Sequence, residues 1–315
     1  MRKVALIYNP ESGQHSNRRA AVIEEALHVL RGGGVEAEAR ETTAPGSAAA
    51  YVAEAVGAGC DAVVACGGDG TVHEVIQSLV GTEVALGVVP LGTANALAAD
   101  LGLLMSPVKA VRMLLDAVPE RVPVGLIHYR DMDGAMRSRY FTVAAGIGAD
   151  ALLMSRLDAK LKRRFGYALY AVEGLKVLLT HPFPLFEALF EEPGKSGRRV
   201  EKVSQIMSVR ITNFGGMINH LVPGAKLRNK RLRLMAFKTG NRFHYVRFLA
   251  AVLLGRQTFS SRIEVLDAIS VECREIPGAR KEIYVEADGE LLGSLPVRLE
   301  IVPDALTMLM PLKRS

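Results

Sequence analysis

Through the first third of the chain, short apolar runs alternate with amphipathic stretches, and polar, glycine-bearing segments separate them. Residues 4–8, Val-Ala-Leu-Ile-Tyr, read as a strand that ends in Asn9-Pro10-Glu11-Ser12-Gly13. From 18 to 30, the apolar residues Ile23, Ala26, Leu27 and Leu30 share one helix face, and Gly32-Gly33-Gly34 stops the helix. Residues 35–39 alternate like a second strand, a turn follows from Thr42 to Gly46, and a small-residue helix spans about 47–56. Residues 61–66 are apolar and rich in small and β-branched side chains, the pattern of a strand covered on both faces. Gly67-Gly68-Asp69-Gly70 then leads into a helix marked by Val72, Val75, Ile76, Leu79 and Val80. A fourth strand at 84–89 runs into Pro90-Leu91-Gly92-Thr93-Ala94-Asn95 and another helix.

Strand, loop and helix in repetition predict a parallel sheet with helices on its faces. Ligands of such sheets gather at the carboxyl ends of the strands. All four polar loops fall at those ends, so Asn9–Gly13, Thr42, Gly67–Thr71 and Gly92–Asn95 are expected to converge on one crevice.

The loop after the third strand suits a phosphate. Its glycines permit positive φ and leave the backbone amides bare. A helix N-terminus adds unpaired N–H donors and a partial positive charge. Thr71 is expected to cap that helix. Asp69 is the odd residue, because a carboxylate beside phosphates repels them unless a divalent cation lies between. A lone Gly-Gly-Asp-Gly fits a plain tight turn equally well. Convergence with the other three loops favours the site.

Beyond a helix at 107–117 and a boundary near Pro119–Pro123, strand patterns dominate: 122–129, 140–145, 185–190, 203–212, 232–237, 263–273 and 281–287. The expected domains are therefore 1–121 and 122–303, and the apolar tail at 306–312 reads as a strand. Two helical interruptions, about 160–180 and 243–254, mix Lys160, Lys162, Arg163, Arg164, Arg242 and Arg247 with aromatic and aliphatic residues. Such surfaces suit an anionic membrane interface, and equally a helix covering a sheet with its cations at the solvated edge.

Composition narrows the classes. The 315 residues carry a net charge of +6, a modest excess that fits an anionic ligand or a membrane surface and does not demand nucleic acid. Three cysteines without paired spacing exclude a disulfide framework and a structural zinc site, and point to a reducing cytoplasm. The seven histidines show no metal-binding spacing. No run approaches the ~18 apolar residues of a membrane span.

Asn9-Pro10-Glu11-Ser12-Gly13, Gly67-Gly68-Asp69-Gly70-Thr71 with Glu74, and Pro90-Leu91-Gly92-Thr93-Ala94-Asn95 resemble the NPxSG, GGDGT and PLGT-x-N motifs of the diacylglycerol kinase catalytic family. Gly146-Ile147-Gly148-Ala149-Asp150 and Asp288-Gly289-Glu290 match further blocks of it. The resemblance implies an α/β fold, with an N-terminal three-layer domain like those of phosphofructokinase and NAD kinase, then a β-sandwich-like domain, and ATP held in the cleft between them. It alone implies that the tail, about 304–315, returns to the first domain. It implies an ATP-dependent lipid kinase that moves the γ-phosphate of Mg-ATP to a diacylglycerol- or sphingosine-like hydroxyl. The implied nucleotide residues are Asn9, Pro10, Glu11, Ser12, Gly13, Thr42, Gly67, Gly68, Asp69, Gly70, Thr71, Val72, His73, Glu74, Gly92, Thr93 and Asn95. Asp69 would meet the catalytic Mg²⁺.

A lipid hydroxyl needs a base, and Asp288-Gly289-Glu290 offers candidates. Its own sequence reads as an Asp-Gly hairpin turn. The resemblance makes Asp288 the proton acceptor, with Glu290 its rival. A lipid substrate, peripheral contact with the inner face of a membrane, and a homodimer complete the implied partners.

Two positions depart from the family. Ala96 stands where an acid is common after PLGT-x-N. Arg228-Asn229-Lys230 aligns with an acidic block that supports a structural magnesium in bacterial members, so that metal is not expected here. A kinase of a soluble acceptor, as NAD kinase is, and a nucleotide- or lipid-binding homologue without turnover are the alternative readings.

Overall fold

Apolar residues on both faces of a strand demand cover on both faces, and the first four strands obtain it. In the computed structural model, which describes residues 1–13, 18–156, 167–215, 221–253, 261–278 and 282–312, the chain divides into two units. One comprises Met1–Val124 with Pro303–Ser315, the other Gly125–Val302.

The first unit is a parallel sheet of β1 (Lys3–Tyr8), β2 (Glu36–Glu41), β3 (Ala62–Gly67) and β4 (Ala85–Pro90) in the order β2-β1-β3-β4. The end of the last strand of the chain, Glu290–Met310, lies parallel beside β4, with Met308 opposite Leu86. Every residue of β3 and β4 is buried. Helix α1 (Arg19–Gly32) packs against α5 (Pro107–Leu115), and α2 (Ser47–Gly57) packs against α3 (Asp69–Leu79), so helices cover the sheet in three layers. On α1 the buried side chains include the expected Ile23, Ala26, Leu27 and Leu30. Because β2 lies on one side of β1 and β3 on the other, the chain reverses its direction of winding between β1 and β3. Ligand crevices of open α/β sheets form at such a reversal.

The second unit is antiparallel. Strands β5 (Val118–Asp131) and β6 (Met136–Phe141) pair as a hairpin from Gly125↔Phe141 onward. One sheet runs β12 (Ile263–Ala268), β11 (Leu232–Phe237), β10 (Gln205–Val209), β7 (Ala144–Gly148), β14 (Tyr284–Ala287) and then the first part of β15 (Glu290–Met310). Further along, β15 pairs with β13 (Ser270–Arg274), which leads to β8 (Phe186–Glu191) and β9 (Arg198–Val203). Phe141, Phe186, Phe190, Ile147, Ile206 and Leu299 come from both arms and form one buried core, the signature of a sandwich. Fully burying such side chains contributes roughly 1.5–3 kcal/mol each. A second core joins α6 (Ala149–Arg156), α7 (Tyr167–Thr180) and α8 (Arg242–Leu253) to the other face of the β11–β10 region through Val177, Phe237 and Tyr245.

Several local expectations shift. The strand read at 140–145 is two strands broken at Thr142 and Val143, and the one read at 263–273 is two strands split at Ile269. The strand read at 203–212 covers only Gln205–Val209. Strand β9 has no counterpart among the predicted segments. Thr71 does not cap α3: the cap is Gly68 in extended conformation, and Thr71 lies buried inside the first turn. Lys160, Lys162, Arg163 and Arg164 lie outside the described residues. No helix among the described residues is long and apolar enough to cross a membrane.

Candidate functional site

Parallel register decides which loops can meet. Tyr8 stands opposite both Glu41 and Cys66, and Gly67 stands opposite Pro90. The loops that begin at Asn9, Thr42, Gly68 and Leu91 therefore leave the same edge of the sheet, as the strand–helix alternation predicts. The edge is knitted by backbone: Asn9 N–H donates to Cys66 O (3.3 Å), Thr42 N–H to Tyr8 O (2.9 Å) and Leu91 N–H to Gly67 O (2.8 Å).

Within this edge the loop after β3 and the loop after β4 touch. A Cβ on Gly92 would lie 2.5 Å from Gly68 Cα, and one on Gly13, at φ +70°, would lie 2.3 Å from Leu91 O. Only glycine lets the three backbones approach this closely. Asn95, itself at φ 51°, folds its amide back on Gly92: its Oδ1 accepts from Gly92 N–H (2.9 Å) and its Nδ2 donates to Gly92 O (2.8 Å). The loop after β1 is closed by Asn9 Oδ1, which accepts from Glu11 N–H at 2.9 Å. Below them α3 begins at Asp69, and a helix offers no internal acceptor to the amides of its first turn. These features suit an extended polyanion bound mainly through backbone N–H groups.

Side chains also hold the edge. Asp69 Oδ1 accepts from Ala96 N–H at 2.7 Å, joining the start of α3 to the start of the short helix α4 (Ala96–Asp100). Glu74 Oε1 accepts from Gly46 N–H, so it pins the entry to α2. Thr71 and His73 are buried, whereas Thr93 is exposed.

Sequence reasoning missed Arg19. The residue is buried, at 7% relative exposure. Nη2 donates to Ser12 O and to Leu91 O (3.4 Å), joining the loops after β1 and β4. Burial lowers its basicity, and the neighbouring Cys66 partly opposes that shift. A cation in the first turn of a helix opposes the helix dipole. That local conflict was the available signal.

In the second unit Asp288 and Gly289 form the two-residue turn between β14 and β15, at φ 49° and 83°, with Ala287 opposite Glu290. The expected Asp-Gly hairpin is present, and its aspartate does more than turn the chain. Asp288 Oδ1 accepts from Val143 N–H (2.9 Å) and Ala144 N–H (3.0 Å), and Oδ2 accepts from Thr142 N–H (2.9 Å) and Thr142 Oγ1 (3.3 Å). These amides are the ones withdrawn from the β6–β7 run, which is why the strand breaks there. Arg210, 1% exposed, lies within electrostatic reach of Asp288 and donates through Nη2 to Leu227 O (2.9 Å). Burial lowers its pKa to about 10, and the Asp288 charge opposes that. Glu290 is more accessible, with 44% of its side chain exposed and Arg139 Nη1 at 3.7 Å.

A second pair of carboxyls lies beneath the turn. Asp150, at the start of α6, and Glu286, on β14, both crowd Gly146, where an added Cβ would stand 1.9 Å from Asp150 Oδ2 and 2.8 Å from Glu286 Oε1. Burial pushes the Asp150 carboxyl up to about 7. Glu286 Oε2 accepts from Gly289 N–H at 2.9 Å, so Glu286 supports the turn that carries Asp288, while Asp150 Oδ1 accepts from Ala151 N–H (2.9 Å).

Two metal expectations separate on these observations. No group of three or more His, Cys, Asp or Glu side chains among the described residues is arranged to hold a metal ion by itself. A magnesium carried by nucleotide phosphates needs only one or two carboxylates, and Asp69 fits that lesser demand. The structural magnesium of bacterial family members does not fit: its loop here carries Arg228, Asn229 and Lys230, and among the described residues that line the cavity beside it the carboxylate is Asp267.

Residues 3–127 match the family model of the diacylglycerol kinase catalytic domain, and residues 142–310 match that of the YegS C-terminal NAD kinase beta sandwich-like domain. The chain is 26% identical over 299 residues to a diacylglycerol kinase of Bacillus subtilis, covering 94% of this chain and 92% of that one. It is 28% identical over 319 residues to a diacylglycerol kinase of Mycobacterium tuberculosis (98% and 95% covered), and 28% identical over 291 residues to a probable YegS-like lipid kinase of Klebsiella pneumoniae (92% and 91%). A crystal structure of a putative diacylglycerol kinase from Bacillus anthracis shares its fold, with a TM-score of 0.77 at 22% identity over 98% of this chain and 96% of that one. With a catalytic-domain match ahead of a β-sandwich match that spans more than half of its length, the chain belongs to the diacylglycerol kinase family.

Proposed function

We propose that the protein is an ATP-dependent lipid kinase that transfers the γ-phosphate of Mg-ATP to the hydroxyl of a diacylglycerol- or sphingosine-like lipid. The observation that carries this reading is the convergence of four strand-end loops and the N-terminus of α3 on one edge of a parallel sheet, in a chain of the diacylglycerol kinase family. Backbone amides at the start of α3, from Asp69 to Thr71, bind the phosphates, and the close approach of Gly92 to Gly68 leaves the backbone there uncovered. Asn9–Gly13 and Thr42 complete the nucleotide side; Arg19 ties the first of these to Leu91, and Asn95 closes the loop after β4 on Gly92. Magnesium bound with the nucleotide, near Asp69, would neutralise phosphate charge.

The acceptor hydroxyl attacks the γ-phosphorus, the bond from that phosphorus to the β–γ bridging oxygen breaks, ADP leaves, and the hydroxyl proton passes to a carboxylate. Asp288 is assigned this role. Three amides fix its orientation, while its longest bond, 3.3 Å, comes from the rotatable hydroxyl of Thr142, which a substrate hydroxyl can replace at the carboxylate. Glu290 is the alternative base. Access to a lipid at the inner face of a membrane is supported by Phe243, Val246 and Leu249, which are exposed on α8 near Arg242 and Arg247.

Radiolabelled Mg-ATP supplied with a total lipid extract in mixed micelles, and separately with NAD, tests the reading. Label in a chloroform-soluble product is expected. Label in no lipid product overturns it, and label in NAD alone establishes a soluble acceptor instead.

A further inference from the structure

The loop that precedes β11 carries Lys226, Arg228, Lys230 and Arg231, Arg233 follows on the strand, and residues 222–233 include no acid. A run of surface cations is ordinarily a solvated face. Lys230, Arg231 and Arg233 of this run, with Gly224 and Asn229, line a cavity of about 400 Å³ that has Asp267 of β12 at its wall.

The cavity has fixed parts. Arg233 Nε donates to Pro223 O at 2.7 Å and Nη1 donates to Asp267 Oδ1 at 3.0 Å, which holds the guanidinium in one plane. Gly224 sits at φ +81°, and a Cβ there would lie 3.3 Å from both Nε and Nη2 of Arg233. Glycine thus leaves that side of the guanidinium uncovered. Asn229 Nδ2 donates to Gly224 O (2.8 Å) and closes the loop on itself. Of the residues that line the cavity, three are cations and one is a carboxylate, Asp267, which accepts from Arg233. The donor set is the inverse of a metal site: it offers N–H groups and positive charge where a hard cation needs oxygens.

We propose that this cavity binds an oxyanion of the phosphate class. A guanidinium held in plane suits the forked geometry of a phosphate, and neighbouring lysine and arginine side chains supply the remaining charge. The loop is tied to the bed of Asp288, since Leu227 O accepts from Arg210 Nη2 (2.9 Å), Ala225 O accepts from Thr212 Oγ1 (2.9 Å), and Arg210 N–H donates to Val143 O (2.9 Å). Occupancy of the cavity therefore stiffens the loop that supports Arg210 and, through it, the surroundings of Asp288.

The test follows the Arg233 Nε–H resonance of the full chain during titration with inorganic phosphate, against sodium chloride at matched ionic strength. A saturable shift specific to phosphate is expected, with its midpoint raised more than about tenfold in K230E/R231E, which removes two cations from the lining and places two acids there. The neutral pair K230M/R231M should shift the midpoint in the same direction and guards against misfolding of the charge-reversed protein. Flotation with phosphatidylcholine vesicles, with and without phosphatidic acid, identifies the source. Phosphatidic-acid-dependent binding that the variants lose assigns a lipid headgroup, and its absence alongside the phosphate shift assigns a soluble phosphate. No phosphate-specific saturation at Arg233, or equal midpoints in the wild type and both variants, overturns the proposal.

Discussion

Asp69 Oδ1 accepts a hydrogen bond from the Ala96 amide at 2.7 Å, so the one acid in the glycine-rich loop also fastens the neighbouring strand-end loop. Structural and catalytic demands on Asp69 can be separated. Asp69→Asn keeps an oxygen for Ala96 and should hold stability within about 1 kcal/mol, whereas Asp69→Ala should lose about 1–2 kcal/mol in chemical denaturation. Both should impair magnesium-dependent use of ATP. An Asn variant with wild-type turnover removes Asp69 from the metal role.

Gly92 and Gly68 approach so closely that a single methyl group cannot fit. Gly92→Ala should displace both loops and lower kcat/KM by about a hundredfold, the cost of misplacing binding groups by about 1 Å. The fold should survive, because the sheet beneath does not depend on this contact. Steady-state kinetics with a circular-dichroism melt distinguishes the two effects.

For the base, Asp288→Asn offers a single oxygen to amides that now meet two, and its own N–H₂ faces donors. A stability loss of about 1–3 kcal/mol is expected, together with a fall in transfer of about 10²–10⁴-fold at nearly unchanged ATP affinity. Glu290→Gln, at a half-exposed position, should alter stability by less than about 0.5 kcal/mol and retain most activity. The reverse activity pattern would make Glu290 the base.

Asp150 predicts a pH dependence of stability. Its folded pKa of about 7 lies above the ordinary 3.8, so between those values the native state binds the extra proton and stability falls as pH rises. Below the lower value and above the upper one this contribution is flat. The span corresponds to a difference of order a few kcal/mol. Denaturation midpoints from pH 4 to 8 should therefore fall more steeply in the wild type than in Asp150→Asn; equal slopes contradict this assignment.

The sheet and its strand-end loops were legible because they rest on local periodicity: burial on both faces makes a strand apolar throughout, and the loop after it is then fixed by order alone. Strand β9 escaped because Arg198, Arg199, Glu201 and Lys202 carry no apolar alternation. Ion pairs of Arg199 with Glu192, Glu201 and Glu264 hold it instead, along with a guanidinium 5.2 Å from the Phe190 ring. The bed of Asp288 was equally hidden, since its partners are backbone amides about 145 positions away, which any residue type would supply. Arg19 was legible only as a cation in an unfavourable place.

Strand β15 runs without a break from Glu290 to Met310, and its final residues are the neighbours of β4. The segment needed to finish the first sheet is thus synthesised about 200 residues after β4 itself. Until it arrives, β4 presents an open, wholly apolar edge, the kind of surface that recruits other chains. A protein shortened to its first 124 residues would keep that edge permanently, so aggregation rather than independent folding is the expected fate of that fragment.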